Sequence, residues 1–165
     1  MLQPKQISKL LSQALTPAST LSSQPSQNGS RSTVKSTNSN SPLSLSLLSS
    51  EGIPLTTVYN SALLGDTGLS PDNLKIFSLL AYNGLSHESG ELSNELWSIM
   101  QLDKNLKVVI QRLAPSISQE IEGNSQKEKA LYVVLFYERS FPDSIAKLKV
   151  DNVCKVLNDG LQGYF

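Results

Sequence analysis

Residues 130–137 read Ala-Leu-Tyr-Val-Val-Leu-Phe-Tyr, and this stretch decides the fold. All eight side chains are apolar or aromatic, so the segment has no polar face for solvent. A strand that is apolar on both faces belongs in the centre of a sheet with layers packed on both sides. The sequence therefore predicts a central strand at 130–137 that helices cover on both faces.

The residues after this strand predict a helix. Phe141-Pro142-Asp143 opens the helix, and Gly160 and Gly163 end it. Its apolar positions form one stripe, which comprises Ile145, Leu148, Val153, Val156, Leu157 and Leu161. We therefore expect a C-terminal helix over 144–161 with one buried side.

A hairpin is predicted further upstream. Over 43–48, leucines alternate with serines, which is the period of a half-buried strand. Residues 49–52, Ser-Ser-Glu-Gly, supply a turn, and residues 53–59 return as a second strand. Pro54 has no amide hydrogen to donate, so this second strand is predicted to lie at the edge of the sheet.

Two more helices precede the central strand. The first, over 4–15, has apolar residues at helical spacing, namely Ile7, Leu10, Leu11, Ala14 and Leu15. A helix this short is marginal alone, so we expect it to dock on the rest of the protein. The second begins at Ser70-Pro71-Asp72, after a predicted loop at 60–73, and its periodicity comes in two pieces. These are Leu74, Phe77, Leu80 and Ala81, then Leu92, Leu96, Ile99 and Met100.

Asn83-Gly84 and Ser89-Gly90 separate these pieces, which predicts either a kinked long helix or two helices around a polar loop. Two further strands are predicted at 106–111 and 117–121. If the first of them lies at a sheet edge, its unpaired backbone groups favour pairing with another chain.

The 165-residue chain carries 14 Lys and Arg against 14 Asp and Glu, but the signs are separated. Residues 1–50 carry +4 and residues 51–165 carry −4. In 16–42, 22 of 27 residues are Ser, Thr, Pro, Asn, Gln or Gly, too polar to offset the entropy of ordering. We expect a single domain over 1–165: the helix 4–15, a disordered insert at 16–42 and a main body at 43–165.

Composition also excludes classes of function. A neutral chain lacks the basic surface that nucleic acid or an anionic membrane requires. No apolar run approaches the roughly 20 residues of a transmembrane helix. One Cys and one His exclude a disulfide framework and a closed zinc site made by this chain alone.

The catalytic candidates are weak. Asp66-Thr67-Gly68 spells the triplet of aspartic proteases, but Gly65 separates it from the preceding apolar residues, so we interpret it as a turn. His87 lies near Glu88 and Glu91 but lacks the second His of a zinc protease motif. Cys154 fits a packing residue of the last helix. We therefore predict no catalytic, cofactor or metal site.

Four stretches resemble the roadblock family of dynein-light-chain-like domains, and within it the scaffold subunits of the Ragulator and EGO complexes. They are Leu45–Leu55, Leu106–Arg112, Lys129–Glu138 and Ser144–Leu161. The element order, helix, two strands, helix, three strands, helix, agrees with that family. The insert at 16–42 and the interrupted second helix depart from its pattern.

The resemblance implies an α+β, roadblock/profilin-like fold. Its five-stranded antiparallel sheet has the order 2-1-5-4-3, with one long helix on one face and the N- and C-terminal helices on the other. It implies a non-catalytic scaffold without a cofactor that heterodimerises with another roadblock protein. It also implies a lipid-anchored adaptor and Rag-type small GTPases as partners. Recruitment would then be to the cytoplasmic face of the vacuolar, lysosomal or late-endosomal membrane, for amino-acid signalling to the TOR kinase.

The resemblance also implies a partner surface, since two roadblock domains join their edge strands and pack their long helices side by side. We predict that surface at Trp97 and Met100, expected on the second helix, and at Leu106, Val108, Val109 and Ile110 on the expected edge strand. Core packing is the alternative for Trp97. Two other functions stay open: a roadblock-type dynein light chain or GTPase-regulating homodimer, and a mitochondrial protein whose acid-free, Ser-rich N-terminus is cleaved.

Overall fold

The structure, a computed structural model, describes residues 3–17, 41–88, 97–113 and 130–161, with only the backbone of 86–88. In chain order the elements are α1 (Pro4–Ala14), β1 (Ser44–Leu48), β2 (Pro54–Tyr59), α2 (Ser61–Thr67), α3 (Pro71–Glu88), β3 (Trp97–Gln101), β4 (Leu106–Leu113), β5 (Leu131–Glu138) and α4 (Asp143–Gly160).

The five strands form one antiparallel sheet in the order β2-β1-β5-β4-β3. β5 lies at its centre, where Leu135 is paired with Leu45 on one side and Val109 on the other. Residues 133–137 are fully buried. The predicted fold class, strand order and central strand are confirmed, because an apolar strand can hide both faces only between two layers.

Each face of the sheet carries its own apolar core. Alternate β5 residues point to opposite cores, so Leu135 packs with α1 and α4 while Phe136 packs with α2 and α3. The helices supply to the first core chiefly Leu11, Leu15, Ala146, Val150, Val153 and Leu157. They supply to the second Leu63, Leu64, Leu74, Ala81 and Leu85. The long helix and the terminal helices thus lie on opposite faces, as predicted.

The β1–β2 hairpin and its edge position are also confirmed. The Ser49 hydroxyl accepts hydrogen bonds from the amides of Glu51 and Ile53, each at 3.2 Å. Gly52 adopts a φ of 77°, a conformation that costs glycine little. The Tyr82 hydroxyl of α3 donates to the Ser50 carbonyl at 2.7 Å, so α3 holds this turn in place.

α1 spans Pro4–Ala14, where the sequence predicted 4–15, and it docks on the body as expected. Leu11 and Leu15 are buried against α4 and the sheet. The Lys149 ammonium of α4 donates to the carbonyl oxygens of Ala14 and Thr16, at 3.0 and 2.9 Å. Most of the predicted insert 16–42 lies outside the described residues, so the division of the chain stays a prediction.

The predicted loop at 60–73 was partly wrong, because residues 61–67 form α2. Leu63 and Leu64 anchor this short helix in the core, and Gly68 ends it with a φ of 69°. α3 begins at Pro71, as predicted, and continues through Asn83-Gly84 to Glu88. The predicted strand at 117–121 lies outside the described residues.

Candidate partner interface

β3 corrects the predicted position of Trp97 and Met100, which lie on a strand and not on a helix. Trp97–Gln101 pairs with residues 107–111 of β4. Ile99 packs into the core of α1 and α4, whereas Met100 packs into the core of α2 and α3. Side chains of consecutive residues point to opposite faces in a strand but not in a helix. The helix was predicted from the spacing of Leu92, Leu96, Ile99 and Met100, which does not test for this alternation.

β4 corrects the predicted edge. It lies between β3 and β5, so both of its edges are paired. Its apolar side chains Leu106, Val108, Val109 and Ile110 are buried in the two cores of this chain. The strand at 106–111 was correctly recognised as a strand, but β3 occupies the edge that was assigned to it.

β3 is the outermost strand on this side of the sheet, and no further strand of the described residues pairs with its outer edge. Trp97 stands at the start of β3 with 38% of its surface exposed. The Lys147 ammonium of α4 lies 4.7 Å from the centroid of the Trp97 ring and also pairs with Asp151. This cation–π contact fixes the ring at the edge and contributes about 0.5–1 kcal/mol.

The outer face of α3 is the second unusual surface. Ile76, Leu79 and Leu80 are 60%, 46% and 51% exposed, and their spacing places them on one stripe. The opposite face of α3 is also apolar, with Leu74 and Ala81 buried in the core. A helix that is apolar on two opposite faces normally buries both of them, so the exposed stripe suits contact with another protein.

The stripe and the edge adjoin each other, because α3 packs closely on β3. A Cβ atom added at Gly84 would lie 2.7 Å from the Met100 sulfur, well inside van der Waals contact. Glycine thus permits the close approach of helix and strand. Ile76, Leu79, Leu80 and the strand Trp97–Gln101 together form what we call the α3/β3 surface.

An ion pair lies at the N-terminal end of the exposed stripe of α3. The Lys75 ammonium and the Asp72 carboxylate form an ion pair at 3.0 Å in the first turn of α3. The hydrogen bond and charge of Asp72 raise the pKa of Lys75 above its usual value. The stripe itself has no charged side chain, which fits the apolar centre and polar rim of a protein interface.

The family can now be assigned from the sequence. The profile of the family described as Protein SLM4 matches residues 1–165, which is the entire chain. The chain belongs to the SLM4 family. A comparison with curated protein sequences finds no significant match.

Solved structures agree on the fold of this SLM4-family chain. It is similar to a structure titled "MglB with tetrameric arrangement", with a TM-score of 0.60 and 12% identity over 96% of this chain and 91% of the other. It also matches the Roadblock/LC7 domain from Streptomyces avermitilis, with a TM-score of 0.48 and 14% identity over 73% of this chain and 85% of the other. The fold that the roadblock resemblance predicts is confirmed by the strand order and by the match to the MglB structure.

The weak catalytic candidates do not converge in the SLM4-family chain. Asp66 and Thr67 lie in the last turn of α2, whereas Cys154 is buried in α4 on the other side of the sheet. Burial raises the pKa of the Cys154 thiol to about 12, which keeps it protonated near neutral pH. The side chain of His87 lies outside the described residues.

Neither metal ligands nor a membrane helix is found in the part of the chain that the structure describes. Within it, no three His, Cys, Asp or Glu side chains come together as a possible metal site. Among the same residues, no helix has the length and apolar character needed to cross a bilayer.

Sequence reasoning missed Ile76 and Leu79, although the signal was present. Residues 74–82 read Leu-Lys-Ile-Phe-Ser-Leu-Leu-Ala-Tyr, which offers apolar residues to both faces of a helix. The predicted stripe comprised Leu74, Phe77, Leu80 and Ala81 and left out Ile76 and Leu79. The excess of apolar residues beyond one stripe is the observation that identifies the α3/β3 surface.

Proposed function

We propose that this chain is a non-catalytic scaffold subunit that binds a second roadblock-type domain through the α3/β3 surface. One observation carries the proposal: α3 is apolar on both faces, and its outer stripe is exposed in the single chain. Covering an apolar stripe removes it from water at roughly 25 cal/mol per Å². A second apolar helix is the simplest cover, because ridges at i and i+4 pack into the grooves of a neighbouring helix.

The open edge of β3 suits the same partner. An edge strand from a second domain would hydrogen-bond to β3 and extend the sheet across both proteins. The outer edge of β3 and the Ile76 and Leu80 side chains of α3 would then take part in the same contact, with the Trp97 ring on the α4 side of that edge. Aromatic residues near the centre of an interface are the ones that most often dominate its affinity.

We further propose that the assembly is of the Ragulator or EGO type. In this proposal the chain joins a lipid-anchored adaptor on the vacuolar, lysosomal or late-endosomal surface and holds Rag-type small GTPases for amino-acid signalling to the TOR kinase. Membership of the SLM4 family and the resemblance of the sequence to scaffold subunits of these complexes support it. The tetrameric arrangement named for the similar MglB structure supports assembly of this fold into larger particles.

The burial of Cys154, the candidate nucleophile, supports the non-catalytic part of the proposal. A cysteine acts as a nucleophile through its thiolate, in an accessible and electropositive site. Cys154 is instead buried, with a pKa raised to about 12. Its position in the core of α1 and α4 agrees with a packing role.

Affinity purification of the full chain from its source cells tests the proposal. We expect a second roadblock protein and small GTPases to co-elute with the wild-type chain, and the Ile76→Glu, Leu80→Glu double variant to lose them. Leu148→Glu is the matched control, since Leu148 is an exposed leucine on α4, on the other side of the sheet. It should retain both partners.

Two results would contradict the proposal. Undiminished co-elution with the double variant would exclude the α3/β3 surface. Co-elution of a roadblock partner without any small GTPase would exclude the Ragulator or EGO assignment. A purified chain that sediments at twice its own mass would favour the homodimer alternative, which uses the same fold.

A further inference from the structure

A groove of about 290 Å³ lies between α1 and α4, on the side of the sheet away from the α3/β3 surface. Its floor is apolar and is formed by Leu10 and Ala14 of α1 and by Val153 and Val156 of α4. Val156 stays 45% exposed there. The groove is at the small end of the range for small-molecule sites, roughly 300–1,000 Å³, and is better suited to apolar side chains of another protein.

The two helices that form the groove are fixed relative to each other by contacts within this chain. Leu11 and Leu15 anchor α1 in the core, and the Lys149 ammonium caps its last turn through the carbonyls of Ala14 and Thr16. Burial lowers the pKa of Lys149 from its usual value of 10.5. A groove with fixed walls avoids the entropic cost of ordering them on binding.

The rim of the groove is basic. Gln13 and Asn152 line it, and Lys9 and Lys155 lie one helical turn from them, on α1 and α4 respectively. Lys149 lines the groove itself. α1 has no acidic residue.

The acids of α4 offset this rim only in part. Asp143 binds Lys107 of β4, and Asp151 pairs with Lys147 on the side of Trp97. The remaining acid of α4, Asp159, lies one turn from both Val156 and Lys155. Lys9, Lys149 and Lys155 thus outnumber the acids around the groove.

We propose that this groove binds an acidic amphipathic helix of a partner protein. Apolar side chains at i, i+3 or i+4 and i+7 of that helix would fill the floor, and its flanking carboxylates would meet Lys9 and Lys155. The site lies on the opposite side of the sheet from the α3/β3 surface. It goes beyond the proposed pairing and does not depend on it.

Two labelled synthetic peptides of about 16 residues, some four turns of helix, test the proposal by fluorescence anisotropy with the full chain. Both carry leucines at i, i+3, i+4 and i+7, and they differ only in Glu or Lys at the outward positions. We expect the acidic peptide to bind at least about tenfold more tightly than the basic one, and the difference to shrink as salt is added.

Variants of the chain locate the binding. Val156→Glu is expected to weaken the acidic peptide at least about tenfold, since it places a carboxylate on the floor of the groove. The Lys9→Glu, Lys155→Glu double variant should lose the preference for the acidic peptide. Ile76→Glu on α3 should bind it normally, which separates this test from that of the α3/β3 surface.

Any of five results would overturn the proposal. The acidic peptide could fail to bind, or bind no better than the basic peptide. Binding could be equally weakened by Ile76→Glu. Val156→Glu could instead lower the sedimentation mass of the chain, which would make a second copy the occupant. Vesicles containing phosphatidylserine could bind the chain through Lys9 and Lys155 without any peptide binding, which would make a membrane the ligand.

Discussion

The helices on the two faces of the central sheet differ in how many apolar side chains they expose to solvent. On one side, α4 exposes two large apolar residues, Leu148 and Val156, which are two turns apart with polar residues between them. On the other side, α3 exposes Ile76, Leu79 and Leu80 within little more than one turn. Isolated apolar residues are normal on any surface, whereas adjacent ones form a patch that a second protein can cover.

The two edges of the sheet differ in what lies beside them. β2 begins with Pro54, which has no amide hydrogen to donate, and it contacts α1, although Leu55 of this strand is 56% exposed. β3 has no described element over its outer edge and begins with a half-exposed tryptophan. The exposed helix face and the exposed edge lie on adjoining elements, so one partner can cover both.

The largest expected difference in stability is between the replacement of a buried leucine and that of an exposed one. Leu135→Ala on β5 removes a fully buried side chain and should lower the free energy of unfolding by about 2–5 kcal/mol. Leu80→Ala on α3 should change it by no more than about 0.5 kcal/mol in the isolated chain. Urea unfolding monitored by circular dichroism measures both. Equal losses would show that Leu80 belongs to the core and not to a partner surface.

Replacing Gly52 and Gly68 by alanine compares a closely packed turn with an open one. Gly52 and Gly68 both have positive φ, so alanine at either should cost about 1–2 kcal/mol. A Cβ at Gly52 would also lie 2.7 Å from the Tyr82 ring, whereas that of Gly68 meets no atom within 4 Å. Gly52→Ala should therefore lower the free energy of unfolding by at least about 1 kcal/mol more. Similar values would contradict the close packing of α3 on the hairpin.

A double-mutant cycle tests the contact between α3 and β3. In a helix, alanine is favoured over glycine by about 0.8–1 kcal/mol, but at Gly84 its Cβ meets the Met100 sulfur. Gly84→Ala should therefore stabilise the Met100→Ala background by about 0.5–1 kcal/mol more than the wild type. Thermal unfolding of the four proteins gives this coupling. Additive effects would mean that the helix does not rest on the strand at this point.

The smallest effect concerns pH on the side of α4. Asp143 accepts hydrogen bonds from Lys107, at 2.8 and 2.9 Å, and from Tyr137, at 3.0 Å. The hydrogen bond from Lys107 lowers the pKa of the Asp143 carboxyl below its usual 3.8, and that from Tyr137 adds to this. The carboxyl of Asp143 therefore binds a proton more readily in the unfolded chain than in the folded one. The ionised carboxylate stabilises the fold above about pH 4, and this stability is lost as the pH falls through the lowered pKa.

Asp143→Asn should reduce the loss of unfolding free energy between neutral and acid pH by no more than about 1 kcal/mol, since the carboxylate is partly exposed. Urea midpoints between pH 2 and 7 measure the change, and Asp72→Asn, in the exposed pair of α3, is the control. A steeper acid limb in Asp143→Asn would have the wrong sign for this account.

Local sequence patterns were sufficient to predict much of the fold. The apolar run at 130–137 and the proline at 71 each mark an element whose burial or start is determined by nearby residues. The alternation at 43–48 located β1, but the prediction that this strand is half-buried was wrong, because its serines are buried between the two helical layers as well. Trp97–Gln101 was different. The spacing of Ile99 and Met100 from the preceding leucines fits a helix, and pairing with β4 prevails over it.

The partner surface was harder to predict, for a related physical reason. Which strand lies at an edge depends on pairing between distant segments, so β4 was assigned the place that β3 occupies. Trp97 and Met100 were nonetheless selected and lie on the edge strand. Ile76 and Leu79 were missed because a single apolar stripe explains how a helix packs on its own sheet, and only the three-dimensional fold reveals the second stripe as exposed.

Hydrogen–deuterium exchange most directly tests the claim that the α3/β3 surface binds a second roadblock-type domain. The chain is compared alone and within the complex that co-purifies with it. We predict slower exchange in the complex at the amides of Trp97–Gln101 and of the outer face of α3, with unchanged exchange in β2, Pro54–Tyr59. Unchanged exchange at Trp97–Gln101, with new protection at β2, would contradict the account.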